Sequence, residues 1–332
     1  MVSIKDVADQ AQVAVGTVSN VLNNPDRVAE KTRERVLNVI SELGFVRNDA
    51  ARQLRAGLSR TIGLIVLDVS NPFFSSLARA AEDRAAESDS TVLLGDSCHD
   101  AGREGRYLDV FEQQRVKGVL ISPVGNIDSR LEQLRAHGVP VVLVDRVDPQ
   151  RRVSSVSVDD VAGGYMAVKH MLTRGRRRIA FIGASTDIQQ VADRLTGAQQ
   201  AVAEYPDAEL EVVEAAAMTV LAGRAAGELL AERGRGGLPD GIFCANDLLA
   251  IGVMQAVLLI RGLRIPEDLA LIGYDDIDFA QSAVVPLSTV RRPTELMGRT
   301  AVELLLEAID RTAAESRQVI FQPELVTRGS TL

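Results

Sequence analysis

Two groups of residues in this 332-residue chain have types and spacing suited to chemistry on another molecule. The first lies in VGTVSNVLN, residues 15–23. There Val18, Val21 and Leu22 form an apolar stripe, and Val15, Gly16, Thr17, Ser19 and Asn20 stay outside it. In a helix whose first turn enters a DNA major groove, the Thr17 and Ser19 hydroxyls can hydrogen-bond phosphates. Asn20 can pair in bidentate fashion with an adenine edge, and Val15 can pack on a thymine methyl. Gly16 has no side chain and lets the backbone approach closely. The second group ends otherwise apolar runs: Asp68, Asp96, Asp145, Asn246 and Asp275. Polar groups at strand carboxyl ends are where open α/β sheets bind ligands.

The elements that must position the first group are helical. Ser3, with Asp6 three residues on, is a weaker form of the capping box, and Ile4, Val7, Ala8 and Ala11 share one helical face. A short break at 12–14 leads into VGTVSNVLN, and Asn23-Asn24-Pro25-Asp26 is a turn. A third helix, about Glu30 to Leu43, buries Val36, Val39, Ile40 and Leu43 and stops at Gly44. Helix, tight turn, helix and a third packing helix is helix-turn-helix organisation. Periodicity alone leaves a helical bundle with a polar surface equally open. Residues 45–60 are too polar for a core helix. The stretch 50–56 has good helix propensity but is too short to be stable alone, which suits a segment that folds on its target.

From Thr61 the rhythm changes to apolar strand then helix, repeated. The expected strands are 62–68, 91–96, 118–122, 141–145, 154–158, 178–183, 241–246 and 270–275, with helices such as 73–88, 160–173, 189–204 and 246–260 between them. Continuous apolar strands alternating with helices imply parallel sheets covered on both faces. The composition, 46% apolar and 25% charged, is that of a globular protein. Net charge is −8, yet residues 1–60 hold nine Lys/Arg against seven Asp/Glu. A mildly basic head on an acidic body directs polyanion contacts to the head. Cys98 and Cys244 lack CxxC spacing and three histidines are scattered, so no disulfide framework, metal site or cofactor is expected. No apolar run reaches a membrane span and no signal peptide opens the chain, which reads as cytoplasmic, nucleoid-associated when bound to DNA.

The motifs IKDVA, VGTVSNVLN, KTRERV and Ala-Arg-Gln-Leu resemble the N-terminal module of the LacI/GalR family of bacterial transcription regulators. The resemblance continues through NPFF (71–74), PVVLVDR (140–146), RLTG (194–197), CANDLLAIG (244–252), IGYDD (272–276) and LVTRGST (325–331). It implies a helix-turn-helix head at 1–45, a hinge linker at 46–60 and an effector-binding, dimerising body at 61–332. The body is expected to be periplasmic-binding-protein-like. Its N-subdomain would span about 61–159 plus 292–322, and its C-subdomain about 160–290 plus 323–332. In the family the segment matching Asn48–Ala56 becomes a helix in the minor groove, where the leucine matching Leu54 wedges between base steps. Asn48 and Ala51 belong to that segment. Three departures stand out: Ala29 where the family often has a capping Ser, Arg47 where many members have Pro, and Asn20 in place of a frequent Arg or His. Arg47 could add a phosphate contact.

The same resemblance supplies the candidate effector residues Asn71, Phe73, Phe74, Asp145, Arg146, Arg194, Asn246, Asp275 and Arg292. Carboxylates accept from hydroxyls, arginines donate forked pairs and Phe rings stack on the C–H face of a sugar. The implied protein is a repressor of carbohydrate-metabolism genes. It binds a pseudo-palindromic double-stranded operator as a homodimer and responds to a sugar or sugar derivative. Arg292 stands where relatives usually have a neutral amide. It leaves open an acidic sugar, a phosphorylated ligand, or a salt bridge to Asp275. The alternatives are a sugar-binding enzyme and a nucleoside- or purine-responsive regulator. Against an enzyme, the chain has no P-loop, GxSxG or HExxH, and no GxGxxG after a strand.

Overall fold

The computed structural model describes residues 2–45, 59–260, 262–310 and 315–332. The chain divides into two units, Met1–Ser59 and Arg60–Leu332. In the first, helices α1 (Ile4–Gln10), α2 (Val15–Asn23) and α3 (Glu30–Leu43) enclose a small core of Val7, Ala8, Ala11, Val18, Val21, Val36 and Val39. The capping box forms: the Asp6 amide donates to Ser3 Oγ at 3.3 Å and the Ser3 amide donates to the Asp6 carboxylate at 2.7 Å. Ala29 caps α3 without a side-chain bond, and the helix ends at Gly44, whose φ of +60° a side chain would resist.

The second unit contains two six-stranded sheets. Sheet A has the order β11-β5-β4-β3-β1-β2 and sheet B the order β12-β10-β9-β8-β6-β7. In sheet A these are β1 (Thr61–Val66), β2 (Thr91–Asp96), β3 (Gly118–Ile121), β4 (Val141–Val144), β5 (Ser154–Val158) and β11 (Gln318–Phe321). Sheet B holds β6 (Arg178–Gly183), β7 (Glu209–Glu214), β8 (Gly241–Cys244), β9 (Ala270–Asp275), β10 (Ser288–Arg291) and β12 (Glu324–Val326). All neighbours pair in parallel except β12, which runs antiparallel to β10. Every residue of β3, β4 and β8 is buried, as strands covered by helices on both faces require.

The chain passes between the sheets three times: after β5, after β10 and between β11 and β12. The helix Thr294–Asp310 follows β10 but packs in the core of sheet A, through Met297, Ala301, Val302 and Leu305. On sheet B, the helices Asp160–Thr173 and Gln189–Ala203 approach closely through glycine. A Cβ on Gly164 would sit 2.0 Å from the Arg194 carbonyl oxygen, and one on Gly197 would sit 2.0 Å from that of Val161. Larger residues at either position would push apart the two helices that carry Asp160 and Arg194.

Candidate DNA-reading face and effector cleft

Helix α2 turns Val18 and Val21 into the head core and leaves Val15, Gly16 and Asn20 exposed, with Thr17 and Ser19 half-buried. Its N-cap, Ala14, offers no side-chain acceptor to the first-turn amides. Such a helix start suits a phosphate oxygen. A Cβ on Gly16 would meet nothing within 4 Å, so the head itself does not require glycine there. Ser19 Oγ accepts from Asn23 Nδ2 at 3.2 Å. Arg47, Asn48, Ala51 and Leu54 lie outside the described residues.

Four of the five strand-end residues, Asp68, Asp145, Asn246 and Asp275, converge on a cavity of about 40 Å³, whereas Asp96 accepts from the Cys98 amide at 3.0 Å outside it. It is lined by Asn71, Phe73, Phe74, Asp145, Arg194, Asn246, Asp275 and Arg292, together with others including Asp68, His99 and Gln190. Asn71 caps the helix Pro72–Ala86 by accepting from the Phe73 amide at 3.0 Å, and its Nδ2 reaches Asp275 Oδ2 at 3.4 Å. Asn246 caps the helix Asp247–Gln255, accepting from the Leu249 amide at 2.9 Å while Nδ2 donates to the Met218 carbonyl at 3.0 Å. Both asparagines therefore hold loops as well as facing the cavity.

Arg194 is buried. Its Nε donates to Asp160 Oδ1 at 2.8 Å, Nη1 donates to the Ala245 carbonyl at 2.6 Å, and its plane lies 3.7 Å over the Tyr274 ring. Burial opposes its charge, but the neighbouring carboxylates, Asp160 foremost, more than offset this and hold it charged. Asp145 and Asp275 adopt φ of +60° and +106°, backbone conformations that side chains resist and that mark functional turns. Burial pushes the Asp275 carboxyl up to about 7, against the opposing pull of Arg194 and the Asn71 amide. Arg292 pairs with Asp145 Oδ1 through Nη2, reaches Asp275 Oδ1 at 3.4 Å through Nη1, and stacks 3.7 Å over Phe73. Burial lowers its pKa to about 9.

One expected site residue lies elsewhere. Arg146 is absent from the cavity lining, and its Nη1 donates to the Gly125 carbonyl at 2.5 Å. β4 ends at Val144, and the left-handed turn at Asp145, φ +60°, aims the next side chain away from the cavity. Phe73 lines the cavity, with the Arg292 guanidinium stacked over its ring and Phe74 packed against it in a T-shaped pair, centroids 5.0 Å apart. Gln190 was missed. Its Nε2 donates to the Asp145 carbonyl at 2.7 Å and to Oδ2 at 3.1 Å, tying the helix Gln189–Ala203 to the end of β4. Asp160, the partner of Arg194, was missed too; the Asp159-Asp160 pair at the first passage between sheets is the signal that could have found it.

Residues 3–48 match the model of bacterial regulatory proteins of the lacI family, and residues 168–331 match a periplasmic binding protein-like domain. The HTH-type transcriptional regulator DegA of Bacillus subtilis is 33% identical, over 99% of this chain and 98% of its own length. The chain belongs to the lacI family. This lacI-family chain is a DNA-binding transcription repressor with an effector-binding body, and the enzymatic alternative falls with that membership. Its structure matches that of the lac repressor dimer bound to operator and the anti-inducer ONPF. The TM-score is 0.86 at 26% identity, covering 100% of this chain and 99% of that one. A LacI-family transcriptional regulator from Enterococcus faecium with bound ribose matches with TM-score 0.74 and 29% identity, over 82% of this chain and 98% of that one. Among the described residues, no helix is long and apolar enough to cross a membrane and no cluster of ligating side chains is placed to hold a metal ion.

Proposed function

We propose that this repressor controls carbohydrate-metabolism genes in response to a small polyhydroxylated effector, a sugar or sugar derivative, bound in the cleft between sheets A and B. The observation that carries the reading is the convergence of Asn71, Asp145, Arg194 and Asp275 on one buried cavity from both sheets. These groups alternate acceptors with forked donors, the complement of a ring of hydroxyls. The bound ribose of the Enterococcus faecium regulator supports it. Asn246 and Arg292 complete the set.

On this reading the head, 1–45, reads an operator through Val15, Gly16, Thr17, Ser19 and Asn20. The linker, 46–60, acts as a hinge. Asn48 and Ala51 face the minor groove, Arg47 contacts phosphate and Leu54 wedges between base steps. The protein acts in the cytoplasm as a homodimer on a pseudo-palindromic site, because two heads must meet two half-sites. An apolar face of the body fits that assembly: Leu259, Phe279 and Val284 are 75%, 58% and 82% exposed around a groove of about 390 Å³ lined by Val220, Leu248, Ile251 and Met254. The test is calorimetric titration of the full-length protein with neutral sugars, nucleosides and purines, followed by operator-binding assays with each ligand that binds. Heat from a neutral sugar, lost in Arg194→Ala, is the expected result. Binding of nucleosides or purines alone would replace the sugar reading.

A further inference from the structure

The carboxylates of Asp145 and Asp275 stand at the ends of β4 and β9, one on each sheet, and the cation between them belongs to neither strand. Arg292 follows β10, on a passage between the sheets, and its side chain is 2% exposed. Arg194 is already engaged by Asp160 and the Ala245 carbonyl. The cavity left beside these groups is about 40 Å³, room for a few waters at most. Small-molecule pockets run to about 300–1,000 Å³. With Arg292 in this position the cleft has no room for a sugar.

We propose that Arg292 is the specificity-determining residue of the cleft, a tethered cation that occupies the effector's place between Asp145 and Asp275 and restricts the effector to neutral molecules. The inference rests on the cleft being the effector site. Three features carry it. Both cross-cleft contacts to Asp275, from Asn71 and Arg292, are long at 3.4 Å, whereas Arg292 and Asp145 are in close contact. A ligand that enters must therefore shift Arg292 off Asp275, and Asp145 is the carboxylate that keeps the displaced guanidinium neutralised. Next, Arg292 Nε is buried without a hydrogen-bond partner, a donor that a ligand hydroxyl or ring oxygen satisfies. Finally, an acidic sugar or a sugar phosphate would have to take Arg292 from two carboxylates and then lie buried against them and Asp68, which like-charge repulsion opposes. An amine-bearing ligand meets the mirror problem, because it would strand the guanidinium.

The test removes the tether and returns the cation in solution. Arg292→Ala leaves a guanidinium-sized gap between two carboxylates. Small-angle scattering of this variant without added ligand should report a more open body than the wild type. Guanidinium chloride at low millimolar concentration should reclose it and raise its thermal midpoint, with sodium chloride inert and the wild type unaffected. Arg292→Gln, which fills more of the site, is the second variant and should also scatter as the open form. In parallel, the wild type should bind a neutral sugar and refuse its acid and phosphate analogues. Two results overturn the proposal. One is a folded variant that scatters like the wild type and ignores guanidinium. The other is a sugar acid or phosphate that binds the wild type and loses about tenfold or more in Arg292→Ala, which would make Arg292 the anion receptor. The scattering and guanidinium arms need no effector, so they can fail while the sugar panel succeeds, and the reverse.

Discussion

Asp275 combines a resisted backbone angle, a buried side chain and contact with groups from both sheets. Burial pushes its carboxyl up to about 7, well above the ordinary carboxylate range of about 4. A raised folded pKa contributes stability that is fully present below about pH 4 and lost as pH rises through 7. Asp275→Asn mimics the protonated form, so its thermal midpoint relative to wild type should rise between pH 5 and pH 8, by the equivalent of a few kcal/mol. A relative midpoint that stays level or falls over that range would count against this. On the head, Asn20→Ala should weaken operator binding by about 1–3 kcal/mol and relax one base position, with little effect on a scrambled duplex. Equal loss on both duplexes would make Asn20 a phosphate contact. The strand-end carboxylates were legible in the sequence because each closes a run of apolar residues. Gln190 was not, because a glutamine at a helix start has no signature that separates a cleft contact from a solvated residue.

The elements were legible where a single pattern governs them. Helix α3 runs from Glu30 to its Gly44 stop as the periodicity and the glycine require. The strands of the two sheet interiors read as apolar runs because helices cover both their faces. Four strands escaped that filter. β7, ELEVVE, is a half-exposed edge strand without a continuous apolar run. β11 and β12 span only four and three residues, and β10, STVR, reads as a passage between sheets. The contact between the helices Asp160–Thr173 and Gln189–Ala203 leads to a test of how Arg194 is held. Gly164→Ala, whose Cβ would meet the Arg194 carbonyl, should cost about 1–3 kcal/mol in chemical denaturation and weaken effector binding by moving Arg194. Gly105→Ala, with open space around it in the helix Ala101–Gln113, should instead stabilise by up to about 1 kcal/mol. If both variants shift stability alike, steric contact at Gly164 is not what sets the helix separation.

For the whole molecule, assembly and response are linked. Placing a charge in the exposed apolar face, as in Val284→Asp, should shift sedimentation equilibrium toward monomer and weaken operator binding, since each head alone meets one half-site. An unchanged monomer–dimer equilibrium would put the dimer contact elsewhere. Coupling between effector and operator must be reciprocal: the factor by which effector changes operator affinity equals the factor by which operator changes effector affinity, commonly about 5- to 150-fold. The threefold passage of the chain between the sheets has a consequence for biosynthesis. The helix Thr294–Asp310 and β11 complete sheet A, whereas β10 and β12 complete sheet B. As the ribosome releases the chain, neither half of the body holds its full set of strands until residues 318–326 have emerged, and sheet A waits with an open edge while sheet B is made. Both halves therefore gain their last strands almost together, β11 for sheet A and β12 for sheet B.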